Sequence, residues 1–126
     1  MTKNVIFSPN APAPIGPYSQ AIQAGNLLFV SGQIAIEPST GNLTTGNIQE
    51  ETHLVMKNMS EILRVASCDF SHVVKTTIFL KDMNNFPKVN AVYGSYFSSE
   101  PPARETVEVC RLPKDVNVEI SCIAVK

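Results

Sequence analysis

Apolar residues recur at alternating three- and four-residue steps through Ile48, Val55, Met59, Ile62 and Ala66. That spacing draws one face of an amphipathic helix over Ile48 to Ala66. Asn47 stands at its N-cap position, with Glu50 three residues on as a capping-box partner. Val73 to Leu80 breaks the helical period with β-branched residues and reads as a strand. A second apolar stripe (Phe86, Val89, Tyr93, Tyr96, Phe97) predicts a second helix, with Asn85 as its cap and Pro87 in its first turn, where a missing donor does no harm. Further strands are expected at Val5 to Phe7, Ala21 to Ala24, Leu27 to Ser31, Arg104 to Cys110 and Val116 to Val125. The resulting order is β-β-β-α-β-α-β-β.

The breaks between these runs are equally informative. Pro9, Pro12, Pro14 and Pro17 crowd the segment after the first strand, which therefore forms neither helix nor central strand. Gly25-Asn26 is a two-residue hairpin signal, because both residues tolerate positive φ. Pro38 to Gly46 reads as a loop, and Pro101-Pro102 stops the second helix. Leu112-Pro113-Lys114-Asp115 joins the last two strands, which suggests a C-terminal hairpin with Arg104 on one strand and Glu119 on the returning one. These elements fit an α/β (α+β) domain, a mixed sheet with two helices packed on one face. Val74, Ile78, Val107, Val109 and Ile120 are too apolar for both faces of the last strands to be wet, so oligomerisation through the sheet is expected.

Composition narrows the class. A chain of 126 residues, 44% hydrophobic and 17% charged, is one domain over 1–126 with enough apolar surface for a core. A net charge of -1 without any Lys/Arg cluster argues against nucleic acid as a partner. No apolar run approaches the ~20 residues that span a bilayer, and no secretory h-region follows Met1. Cys68, Cys110 and Cys122 lack CxxC spacing and read as reduced thiols, so a cytoplasmic location is expected. His53 and His72 lack ligand spacing, and no metal site is expected. Cys110 has no base nearby in sequence and reads as a small buried hydrophobe.

Several residues suggest chemistry, each beside a plainer reading. Arg104 follows the stiff Pro101-Pro102-Ala103 approach and suits bidentate binding of a carboxylate or phosphate; alternatively it pairs with Glu105, Glu108 or Glu119. Glu119, between Val118 and Ile120, can polarise a water as a general base, or serve as an edge-strand charge against aggregation. Asn90 is available to a substrate atom or to a loop backbone. Tyr18, in Gly16-Pro17-Tyr18-Ser19, points its hydroxyl into a pocket or lies as an aromatic lid over the core. Ser31-Gly32-Gln33 at a strand end suggests close backbone approach by a ligand or another chain.

Taken in order, Ala13-Pro14-Ile15-Gly16-Pro17-Tyr18-Ser19-Gln20-Ala21, Ser31-Gly32-Gln33, Val74-Lys75-Thr76-Thr77, Val89-Asn90, Pro102-Ala103-Arg104 and Leu112-Pro113-Lys114-Asp115 with Val118-Glu119-Ile120 resemble the RidA (YjgF) family across essentially the whole chain. The resemblance implies a chorismate-mutase-like fold and a homotrimer, with the three sheets forming a central β-barrel and clefts between subunits. It implies cofactor-free hydrolysis of reactive enamines and imines, such as 2-aminoacrylate, to 2-keto acids and ammonia. In that family pattern Arg104 clamps the substrate carboxylate and Glu119 positions the water. Tyr18 is a further catalytic position in the cleft, and Ser31, Gly32, Asn90 and Thr106 are its substrate-binding positions. Tyr18, Ser31 and Gly32 are expected from a neighbouring subunit, facing a wall that holds Arg104 and Glu119. Thr106 stands where many members carry cysteine, which removes a thiol role. Glu105 replaces a small residue, and strand alternation points it away from the cleft. Two other functions remain: a regulatory protein that binds a keto acid without turnover, and a translation inhibitor with ribonuclease-like activity.

Overall fold

The computed structural model describes residues 2–126. Its elements are β1 (Lys3–Ile6), β2 (Ala21–Ala24), β3 (Leu27–Gln33), α1 (Ile48–Val65), β4 (Val73–Leu80), α2 (Phe86–Gly94), β5 (Ala103–Glu108) and β6 (Val118–Val125). The order is the one expected from sequence. The strands form one six-stranded sheet ordered β1-β2-β3-β6-β4-β5. β4 and β5 run parallel and the other neighbours antiparallel, so the sheet is mixed. Both helices cover one face, as the α+β reading requires.

Local causes account for the elements. Asn47, extended at φ -142, accepts 3.0 Å bonds at Oδ1 from the Gln49 and Glu50 N–H groups and so starts α1. Glu50 contributes only its backbone to this cap. Val55, Met56, Met59, Ile62 and Leu63 are completely buried against the sheet. Gly25, at φ +61, turns β2 into β3 with Ala24 opposite Leu27.

At α2 the capping residue differs from expectation. Asn85 is already helical (φ -80, ψ -7) and makes no side-chain cap bond. Asp82, extended at φ -143, accepts from the Asn84 N–H instead and opens a short 3-10 turn that leads into α2. An Asx side chain reaches over a helix start from an extended backbone, and only Asp82 has one.

The expected C-terminal hairpin does not form. α2 crosses over and lays β5 parallel to β4 at the sheet edge, with Thr76 beside Arg104. The chain then passes β4, and β6 inserts between β3 and β4, with Ile120 opposite Ile78 and Cys122 opposite Val30. Charge distribution explains the choice. β5 carries Arg104, Glu105 and Glu108, which an edge strand tolerates, whereas β6 buries Val118, Ile120, Cys122 and Ala124 beneath the helices. Glu119 is therefore on a central strand and is not an edge charge. Cys110 is exposed beyond the end of β5, against the expectation of a buried thiol.

The other sheet face is open. Of the residues expected to make it apolar, Ile78 and Ile120 are buried under the helices, while Val74 and Val107 are exposed. The open face is apolar through Val107 and through residues not singled out from sequence. Val5, Ile22, Phe29 and Ile123 form one cross-strand row, and Phe79 lies between Val107 and Glu119 in another. Phe29 and Val5 are 43% and 63% exposed, so apolar surface is left uncovered on this face.

Candidate functional site

Glu119 alternates with buried Val118 and Ile120 and so projects from the open face. It sits in a cleft of about 480 Å³ whose walls include Tyr18, Ser31, Gly32, Gln33, Ile34 and Lys114. A Cβ on Gly32 would lie 2.7 Å from the Glu119 Cδ, so only glycine lets this carboxylate lie against β3. Burial pushes the Glu119 carboxyl above its ordinary range. Such an acid is a better proton acceptor than an exposed glutamate.

The proline-rich loop forms the opposite wall, and one side chain holds it. Gln20 is 2% exposed. Its Oε1 accepts from the Ser8 N–H at 2.6 Å, and its Nε2 donates to the carbonyls of Ser8 (3.1 Å), Ala11 (3.4 Å) and Pro12 (2.9 Å). A segment poor in backbone donors is thus satisfied by a side chain. Ser31 Oγ donates to the Ser19 carbonyl at 2.7 Å, which ties the loop to β3 and commits that hydroxyl proton. Tyr18 is 52% exposed and lines the cleft, so it is not a lid over the core.

Arg104 belongs to a second constellation. Its partner Thr76 is buried on the helix side of the sheet and bonds the Tyr93 hydroxyl at 2.7 Å, so Arg104 projects toward α2. Arg104 Nη1 donates to Asn90 Oδ1 at 2.8 Å. The guanidinium lies over the Phe86 ring at 5.5 Å and the Tyr93 ring at 5.1 Å from the centroids. One bond and two aromatic faces fix the fork while it remains exposed, a preorganised anion receptor. Asn90 therefore acts on Arg104 rather than on a loop backbone. Thr106 lies on the same side two residues on, and its buried Oγ1 has no hydrogen-bond partner among the described residues. Glu105 points the other way, to Lys75 Nζ at 3.0 Å and to Thr77 Oγ1, and these contacts lower its carboxyl pKa, the Thr77 bond most of all. It does not compete for Arg104.

The structure thus brings Glu119, Tyr18, Ser31 and Gly32 together, and separately Arg104, Asn90 and Thr106. This corrects the expected grouping, in which Arg104 and Glu119 shared a wall: β4 stands between their strands, and their side chains leave opposite faces. Gln20 and Glu51 carry roles that sequence did not disclose. Glu51, fully buried on α1, accepts from Asn117 Nδ2 (2.7 Å) and the N–H groups of Asn117 (2.8 Å) and Val118 (3.3 Å), which fixes the residues just before Glu119.

Comparison with known proteins agrees with this arrangement of motifs. The family model described as Endoribonuclease L-PSP matches residues 8–126. A RutC family protein of Pyrococcus horikoshii is 55% identical over 98% of each chain. The 2-iminobutanoate/2-iminopropanoate deaminase of Mus musculus is 48% identical, covering 98% of this chain and 92% of that one. The crystal structure of E. coli TdcF with bound serine superposes with a TM-score of 0.94 at 37% identity, covering 98% of both chains. The chain belongs to the Endoribonuclease L-PSP family, the RidA (YjgF) family that its ordered motifs resemble.

Proposed function

We propose that this protein hydrolyses reactive 2-imino acids and their enamine tautomers, such as 2-aminoacrylate, to 2-keto acids and ammonia. We further propose that it works as a homotrimer whose apolar sheet faces are covered by neighbouring copies. Each cleft then joins the Glu119 half of one subunit to the Arg104 half of the next. The observation that carries this reading is Arg104 itself, an exposed guanidinium held by Asn90, Phe86 and Tyr93, whose remaining donors meet no acceptor among the described residues. A fork so fixed suits the substrate carboxylate, and the unpartnered Thr106 hydroxyl can add a donor beside it.

With the carboxylate held, the iminium carbon faces Glu119. The Glu119 carboxylate takes a proton from water as the oxygen adds to the C=N carbon. Protonated Glu119 returns that proton to the carbinolamine nitrogen, the C–N bond breaks as ammonia departs, and the hydroxyl proton passes back to Glu119 as the carbonyl forms. The cationic imine is already electrophilic, so a moderately basic carboxylate suffices. Tyr18, exposed at the cleft, supplies a hydroxyl for the leaving nitrogen or the adding oxygen. The named activity of the similar mouse protein supports this chemistry.

The test is coupled turnover. The protein is mixed with a serine or threonine dehydratase, and early keto-acid formation is followed. Acceleration by wild type and its loss in Arg104→Ala are expected; equal acceleration by both would sink the reading. The serine held by the similar TdcF favours a second reading, a regulatory protein that binds small carboxylates. Keto-acid binding without turnover selects it. The family's ribonuclease description finds no support in a net charge of -1 without a basic stripe.

A further inference from the structure

Lys114 is the one cationic residue among those lining the Glu119 cleft. Among the described residues it makes no ion pair. Its placement is unusual. Lys114 and Asp115 adopt successive left-handed conformations, φ 55 and φ 58, which residues bearing a Cβ disfavour. The segment is held in that shape at both ends. Leu112 and Val116 are 6% and 0% exposed, and Asp115 Oδ1 turns outward to Lys81 Nζ at 2.9 Å. A disfavoured turn with anchored ends thus carries a cation to the rim of the cleft.

The charge is not used by the acid below it. Among the described residues no ion pair joins Lys114 to Glu119, and burial raises the Glu119 carboxyl pKa. An ionised Glu119 repels an incoming anion, and an unpaired ammonium at the rim opposes the repulsion. We propose that Lys114 is a specificity residue that selects anionic, carboxylate-bearing ligands for this cleft by charge. It takes no part in bond making. This deepens the function proposed above and rests on its assignment of a carboxylate substrate.

Equilibrium binding separates the two. Calorimetry compares 2-oxobutanoate with its neutral amide on wild type, Lys114→Arg, Lys114→Met and Lys114→Gly, at low and high salt. The glycine variant suits the left-handed backbone, so it removes the charge without added strain. Expected is a loss of 2-oxobutanoate affinity of roughly three- to five-fold in the Met and Gly variants at low salt, retained affinity in Lys114→Arg, and unchanged amide binding. The difference should shrink as salt is raised. Affinity for 2-oxobutanoate that is equal in all four proteins, an equal loss for the amide, or no binding to wild type overturns the proposal. Lys114-dependent binding without turnover in the dehydratase assay leaves the inference standing and removes the deaminase reading.

Discussion

Arg104 and Glu119 leave opposite faces of one sheet. Arg104 is in register with Thr76 on β4, and Glu119 with Phe79, three residues further along. With β4 between their strands, the two Cα atoms are about 14 Å apart before the side chains diverge. A single substrate the size of 2-aminoacrylate cannot touch both within one chain. If both act on it, they come from different copies.

Subunit mixing tests that consequence. Arg104→Ala and Glu119→Gln are each expected to be inactive as pure proteins. Co-refolded at equal amounts, a cyclic assembly places an intact Arg104 against an intact Glu119 at about a quarter of its interfaces. Activity should return toward that fraction of wild type. A mixture as inactive as its parents, with mixed assemblies verified by mass spectrometry, would place both residues in one subunit's site.

Gly32 is expected to matter for position more than for stability. The side chain of alanine there meets the Glu119 carboxyl group, the far end of a flexible side chain that can rotate away. Gly32→Ala should therefore fold with a stability change under about 1 kcal/mol, while kcat falls by roughly ten- to a hundred-fold as the base leaves its place. Urea denaturation and steady-state kinetics on the same preparation separate the two effects. Wild-type kcat in this variant would show that Glu119 needs no contact with β3.

The displaced titration of Glu119 has a defined sign. Burial raises its pKa in the folded chain above that of the unfolded chain, about 4.3. Between the two values the folded state holds more protons, so stability falls as pH rises through this window, and the penalty is complete above the folded pKa. Glu119→Gln is expected to be more stable than wild type at neutral pH. The gain should stay under about 1 kcal/mol, because the carboxylate is half-exposed and screened. It should vanish below about pH 4. Thermal melts at matched concentration read this directly, and a gain that persisted or grew in acid would contradict the burial origin of the shift.

The sequence disclosed the elements through local signals: Asn47 for the start of α1, Gly25-Asn26 for the first hairpin, and β-branched residues for β4. Sheet order was not readable by the same means. A short Leu112–Asp115 connection resembles a hairpin loop, and nothing local reveals that β6 skips its sequence neighbour. The clue lay in comparing strands, since β5 is charged on both faces and β6 is not. The site residues came from the ordered family motifs, because Arg104 and Glu119 each had an equally ordinary reading alone. Their grouping followed only from sheet order. Gln20 and Glu51 left no trace because their partners lie 12 and 66 residues away.

Gln20 has the largest consequence for the loop that carries Tyr18. Pro9, Pro12, Pro14 and Pro17 have no N–H, so the segment cannot hold itself by a backbone ladder. Gln20 replaces that ladder with four side-chain bonds. Gln20→Ala strands the Ser8 N–H and several carbonyls in a buried site and is expected to cost about 2–4 kcal/mol. Gln20→Met preserves bulk but not bonding, and should cost nearly as much if hydrogen bonding dominates. Both variants should show faster proteolysis between residues 9 and 19 and a higher KM, since Tyr18 loses its fixed place over the cleft. A methionine variant as stable and as protease-resistant as wild type would assign the role of Gln20 to packing alone, and the loop would then owe its shape to the stiffness of its prolines.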